Sequence, residues 1–196
     1  MAYPVYVKNY SAPKINEKEI LRYAGVKEDI NEINSLIDKC ILELDGYLTY
    51  KVCYSEYPIK VEGDNIDLTF TSVKSKNLAT NLKGCNYAVV FVATVGVGID
   101  RLILKYSAIS QTKALIFQAI GAERIESLCN LFNEEIANCY KDIKPRFSAG
   151  YGDLPLTIQT DIFNALNCSK NIGVTLNDSL LMSPSKSVTA IIGVVK

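Results

Sequence analysis

The segment Pro145-Arg-Phe-Ser-Ala-Gly-Tyr-Gly-Asp-Leu-Pro155 is one stretch that local structure does not demand. Arg146 supplies a planar fork of N–H donors that can grip a carboxylate through two charge-assisted bonds. Gly150 and Gly152 let a ligand approach main-chain N–H and C=O groups closely. Tyr151 stands between those glycines with little shielding from its neighbours. It can lie flat against a planar ligand. The same residues also make a helix-capping loop with a surface arginine and a packed tyrosine. Residue chemistry alone leaves these two readings even. Asp153 with Pro155 is expected to start the next helix.

Two other groupings invite chemistry. Gly96-Val-Gly98 follows an apolar run and precedes a helical stretch, the position of a phosphate-binding loop. Position 101 is Arg, so the full GxGxxG spacing is absent and a plain strand-to-helix turn is expected. Glu123, Arg124, Glu126 and Cys129 could form a polar or metal cluster. Their spacing implies no ligand geometry, so a solvated helix face with one core thiol is expected. The chain has no His, which removes Ser-His and Cys-His nucleophile pairs and the imidazole ligands of most catalytic zinc sites.

The elements that must position these residues follow from periodicity. Asn16 to Ala24 reads as a helix with a capping box from Asn16 to Glu19, closed by Gly25. Asp29 and Glu32 repeat the start signal before an apolar stripe of Ile30, Ile33, Leu36, Ile37, Cys40, Ile41 and Leu44. Tyr47 to Tyr54 and Ile59 to Phe70 read as antiparallel strands, with a turn at Glu62-Gly63-Asp64-Asn65. A short helix is expected around Ser75 to Lys83. Tyr87 to Val95 is apolar at both parities, the mark of a central strand covered on each side. Ser110 to about Lys144 has helical periodicity; its first half is apolar nearly all round and should be buried, its second half partly solvated. Val174 to Leu176, Leu180 to Met182 and Val188 to Val195 are strand-like. The expected class is α+β, with a mixed or antiparallel sheet and a long buried helix, in a single domain over residues 1–196.

The 196 residues carry 21 Lys+Arg and 21 Asp+Glu, so the net charge is zero. A basic nucleic-acid footprint and a polybasic membrane anchor are not expected. No apolar run approaches the roughly 20 residues of a membrane span. The start lacks the order of a signal peptide, and a cytoplasmic protein with reduced thiols is expected.

Several segments then match a known family. Arg146-Phe-Ser-Ala-Gly-Tyr-Gly-Asp-Leu-Pro155 resembles the R-x-x-x-G-Y-x-x-x-P loop of the activation domain of cobalamin-dependent methionine synthase. Ile172-Gly-Val-Thr-Leu-Asn-Asp-Ser-Leu-Leu-Met-Ser-Pro184 is similar to the family's G-x-x-L-T-x-S-x-x-M-x-P run, with Asn177 where Thr is common. Ser185 to Ala190 corresponds to the stretch after that proline. Ala93 to Ile103 and Lys113 to Ala122 resemble the family's central strand and long helix. Glu19 to Gly25 is similar to the opening helix of its free-standing forms.

The resemblance implies an accessory reactivation protein that binds S-adenosylmethionine. Its partner would be a cobalamin-dependent methionine synthase or another corrinoid protein, which carries the cobalamin. A methyl from S-adenosylmethionine and one electron from a flavodoxin-like donor would restore methylcobalamin from cob(II)alamin. The resemblance implies that Arg146 binds the methionine carboxylate and that main chain at Phe147, Ser148, Ala149 and Gly150 lines the ligand. It places Tyr151 toward the corrin of the docked partner. It implies a component of the methyltransferase system rather than a catalyst on its own. The large enzymes have an acidic contact in a tryptophan-containing context and an aromatic after the M-x-P run. This chain has no Trp, and Val188 to Val194 is aliphatic. Those departures motivate the alternative of a corrinoid-protein binding module that does not use S-adenosylmethionine. A third reading is a small α+β enzyme holding a nucleotide at Gly96-Val-Gly98.

The expected redox state is directly measurable. All six cysteines should react as free thiols under denaturing, non-reducing conditions. Fewer than six in freshly purified protein contradicts it.

Overall fold

The computed structural model describes residues 3–26 and 31–196. In chain order the elements are β1 (Tyr6–Tyr10), α1 (Glu17–Tyr23), α2 (Asn31–Leu44), β2 (Tyr50–Pro58), β3 (Lys60–Glu62), β4 (Asn65–Asp67), β5 (Ser72–Lys74), α3 (Lys76–Asn81) and β6 (Tyr87–Thr94). Then come α4 (Gly98–Ser107), α5 (Gln111–Cys139), β7 (Asp142–Ile143), α6 (Ile158–Leu166), α7 (Cys168–Ile172), β8 (Thr175–Leu176), β9 (Met182–Ser183) and β10 (Ser187–Val195). The class is α+β.

The main sheet has five strands in the order β1-β2-β6-β10-β7, and every pair is antiparallel. The strand expected at the centre is there. Its period of two divides its side chains between two cores. Val89, Phe91 and Ala93 point to one face, and Ala88, Val90 and Val92 to the other. Its neighbours follow suit: Val52 and Ile192 join the first face, Cys53 and Ile191 the second.

The first face is covered by helices α1, α2, α4 and α5. Asn16 caps α1, accepting from Glu19 N, and Gly25 follows in the left-handed region at φ +73°. In α2, Ile37, Cys40 and Leu44 are buried; Asp29 and Ile30, expected at its start, lie outside the described residues. Phe117 of α5 is fully buried and stacks on Tyr106 of α4, ring centroids 5.3 Å apart. The second face is covered by α3, α6 and α7 and by the small three-stranded sheet β3-β4-β5. Gly63, at φ +61°, makes the tight turn between β3 and β4.

Three expectations need correction. The long helix ends at Cys139 rather than near Lys144, because Asp142 and Ile143 leave it to pair with Val195 and Val194 at the sheet edge. Leu115, in the half expected to be buried all round, is exposed. Glu123 and Arg124, expected on a solvated face, are only 1% and 2% exposed.

Their burial has a clear cause. Arg124 Nε and Nη2 donate to the two Glu123 carboxylate oxygens at 2.6 and 2.7 Å. Its Nη1 donates to Pro13 O at 2.6 Å, and Nη2 also donates to Lys14 O at 2.9 Å. Glu123 in turn accepts from Asn16 N at 3.1 Å and Ser127 Oγ at 2.6 Å. The pair therefore fastens the segment entering α1 onto α5. Both carboxylate oxygens and all three guanidinium nitrogens are engaged locally, which is what makes two buried charges tolerable.

Removing one partner should be costly. Arg124→Ala leaves Glu123 buried without its counter-charge and should lower unfolding free energy by about 3–5 kcal/mol. Urea denaturation measures it; a loss under about 1 kcal/mol contradicts the clamp.

Candidate functional site

The chain leaves β7 and runs beside β10. Phe147 N donates to Ile191 O at 2.8 Å, and Ile191 N donates to Phe147 O at 2.9 Å. This bridge seats the Phe147 ring in the second core. It also commits both polar main-chain groups of Phe147 to the strand. The preceding residue faces α5 instead.

There the Arg146 guanidinium meets three residues spaced four and three apart on one face of the helix. Its Nη2 donates to the Glu126 carboxylate. Its Nη1 donates to Asn130 Oδ1 at 2.8 Å. With the Asn133 amide oriented so that its nitrogen donates to Cys129 O, its oxygen accepts from Arg146 Nη1 at 2.9 Å. Among the described residues, Arg146 Nε has no acceptor. Cys129 lies buried nearby. Burial pushes its thiol up to about 12, with Arg146 opposing that rise and Glu126 adding to it. It is an inert core thiol.

Beyond Phe147 the loop folds on itself. Gly150 N donates to Leu154 O at 3.0 Å, Tyr151 N to Ser148 O at 3.1 Å and Leu154 N to Tyr151 O at 3.1 Å. Gly150 and Gly152 have φ of +80° and +58°. A Cβ on Gly152 would come within 2.3 Å of Asn77 Nδ2, so both conformation and space require glycine there. The N–H groups of Ser148 and Ala149 and the carbonyls of Ala149 and Gly150 have no hydrogen-bonding partner among the described residues. Tyr151 is 68% exposed, with its ring edge against Phe147, centroids 5.4 Å apart.

Asp153 does not start α6, which begins at Ile158 without a side-chain cap. It caps α3 instead, accepting from Ser75 Oγ, from Lys76 N at 2.8 Å and from Asn77 N at 3.2 Å. The Ser75 hydroxyl, more than the N–H groups of Asn77 and Lys76, holds the Asp153 carboxyl below its ordinary value. The loop is thus pinned at both ends, by β10 and by α3, with Tyr151 at the free tip.

The run after Met182-Ser-Pro184 joins β10 to the first face. Ser185 N and Oγ donate to Asp100 of α4, and Ser187 Oγ donates to Thr94 Oγ1 at 2.9 Å. The two segments that carry the sequence resemblance therefore meet on β10. Ile191, the bridge to Phe147, lies about 13 Å along the strand from Ser187.

The Gly96-Val-Gly98 turn is closed. A Cβ on Gly98 would lie 1.9 Å from Tyr47 O, and one on Gly96 2.4 Å from Thr49 Oγ1. Its glycines admit the chain at Tyr47–Thr49, which occupies the space a phosphate would need. The expected plain turn is what forms. Two grooves lie elsewhere, of about 620 Å³ beside Phe163, Asn164 and Cys168, and about 560 Å³ beside Tyr10, Leu48 and Tyr50. Neither is lined by the 146–151 loop.

In sequence Glu126 reads only as part of a polar cluster or solvated face, and Asn130 and Asn133 carry no signal. Their helical spacing was visible, but nothing in sequence places Arg146 over that face.

Residues 129–195 match the family model for the vitamin B12 dependent methionine synthase activation domain. Among curated proteins no match is found. Among solved structures, a crystal structure of the MetH reactivation domain bound to AdoHcy matches with TM-score 0.69 and 18% identity. The match covers 98% of this chain and 79% of that one. Among the described residues no helix is long and apolar enough to cross a membrane.

The tether to α3 has a pH signature. A carboxyl whose folded pKa is depressed stabilises above its unfolded value and ceases to as pH falls through its folded value. Wild type should melt above Asp153→Asn at pH 7, and the gap should close as pH falls below about 4. A constant gap from pH 7 to 3 contradicts the assignment.

The chain resembles the activation domain of vitamin B12-dependent methionine synthase, in sequence over residues 129–195 and in fold over nearly its whole length.

Proposed function

We propose that residues 1–196 act as one activation-type domain, an accessory that reactivates a cobalamin-dependent methionine synthase or another corrinoid protein. In this reading the loop binds S-adenosylmethionine, and the cobalamin and its cobalt-ligating group belong to the partner. A flavodoxin-like protein would supply the electron, in the cytoplasm. The observation that carries the reading is the Arg146–Gly150 loop itself. It lies within the segment that matches the family and offers an arginine Nε–H and four main-chain groups without partners among the described residues.

The chemistry of the donors fits the ligand. The guanidinium suits the methionine carboxylate. The N–H groups of Ser148 and Ala149 and the carbonyls of Ala149 and Gly150 suit polar edges of the amino-acid and ribose moieties. Phe147 contributes by anchoring the loop, its own main chain being committed to Ile191. Tyr151 projects from the tip, where a docked corrin protein can meet its ring. S-adenosylmethionine supplies the methyl group; the chain's part is to bind and orient it. The fold of an AdoHcy-bound reactivation domain supports this reading.

One observation favours the second reading, a module that binds a corrinoid protein without S-adenosylmethionine. Glu126 already holds Arg146, as a ligand carboxylate would.

Titration separates the two. Arg146→Ala should weaken S-adenosylmethionine binding roughly 10- to 150-fold, the value of a charge-assisted contact in a partly desolvated site. Arg146→Lys should recover only part, because an ammonium lacks the planar fork. Tyr151→Phe should slow methylcobalamin recovery with the partner more than it weakens ligand binding. Wild type that binds no S-adenosylmethionine, even with the partner present, moves the assignment to the second reading.

A further inference from the structure

We infer that Glu126 is an internal competitor for the ligand carboxylate, so that it sets the affinity of the Arg146 site. The inference rests on the S-adenosylmethionine reading above. Arg146 presents its Nη1 to two neutral amides, Asn130 and Asn133, and its Nη2 to the one charged acceptor, Glu126. A bidentate carboxylate needs two parallel N–H groups. The unpaired Nε–H is one; the other is on Nη2, beside the Glu126 contact. A ligand carboxylate seated on that edge brings a second negative charge against the first. Glu126 must give way, or the two carboxylates must share one guanidinium at a repulsive distance.

The surrounding geometry allows the exchange. Glu126 is 40% exposed on its side chain, so it can swing to solvent and be hydrated there. Asn130 and Asn133 keep Nη1 in place when it leaves. The guanidinium therefore keeps its place over α5 without Glu126. An ion pair this exposed is weak, so the competition is modest.

A role for Glu126 in gripping the ligand's ammonium predicts the opposite sign. Neutralising a competitor tightens binding, whereas neutralising a contact weakens it.

The experiment is calorimetric titration of wild type, Glu126→Gln and Arg146→Ala with two probes. S-adenosylhomocysteine carries the carboxylate; 5′-methylthioadenosine lacks the whole amino-acid end. Glu126→Gln should bind S-adenosylhomocysteine about 2- to 5-fold more tightly and 5′-methylthioadenosine unchanged. Structural damage does not produce a gain restricted to the carboxylate-bearing probe. Unchanged or weaker S-adenosylhomocysteine binding in Glu126→Gln, with a loss in Arg146→Ala, overturns the competition and leaves the site reading intact. An equal gain for both probes also overturns it. No change in either variant overturns the site reading and the inference together.

Discussion

A strand with two apolar faces must be covered twice, and β6 imposes that condition on the whole molecule. Val89, Phe91 and Ala93 on one side and Ala88, Val90 and Val92 on the other cannot be left against water. Each buried Val or Phe side chain is worth about 1.5–3 kcal/mol relative to exposure. Helices α1, α2, α4 and α5 meet the first need. The layer of α3, α6, α7 and the small sheet meets the second. The candidate site lies where those two layers join at the sheet edge. Phe147 belongs to one layer, and Arg146, its neighbour, reaches across to α5 of the other.

That position explains how a loop can be both ordered and open. The Phe147–Ile191 bridge and the Asp153 cap fix its ends through bonds to regular elements. Between them the glycines turn the chain so tightly that several polar groups of the main chain have no partner among the described residues. Preorganised donors of this kind bind without the cost of ordering a flexible segment. The structure holds a carboxylate, Glu126, at the cation proposed to bind a ligand carboxylate. Glu126 and two amides thus satisfy the guanidinium within the protein.

Sequence made the regular parts legible, and the reasons are local. Asn16 and Ser75 cap α1 and α3 because a side-chain oxygen three residues before an N–H is a local geometry. The two-faced run of β6 is legible from parity alone. What sequence hid was long-range pairing. Glu123 and Arg124 look like surface charges until Pro13 and Lys14, more than 100 residues away, bring their carbonyls over them. Asp153 looked like a cap for the helix that follows it and instead caps one far upstream, through Ser75. The end of α5 is hidden for the same kind of reason, since only the partner strand makes residues 142–143 extended. At the site, Arg146 and the glycines were visible by type, whereas Glu126, Asn130 and Asn133 gained meaning only once the arginine was placed over their helix.

A crystal structure of the protein with S-adenosylhomocysteine tests the Arg146 assignment most directly. The ligand carboxylate should lie within hydrogen-bonding distance of Arg146 Nε, with Ser148 to Gly150 main chain along the ligand and Glu126 turned to solvent. Ligand density in the groove beside Phe163 and Cys168, with the Arg146–Glu126 pair intact, would contradict it.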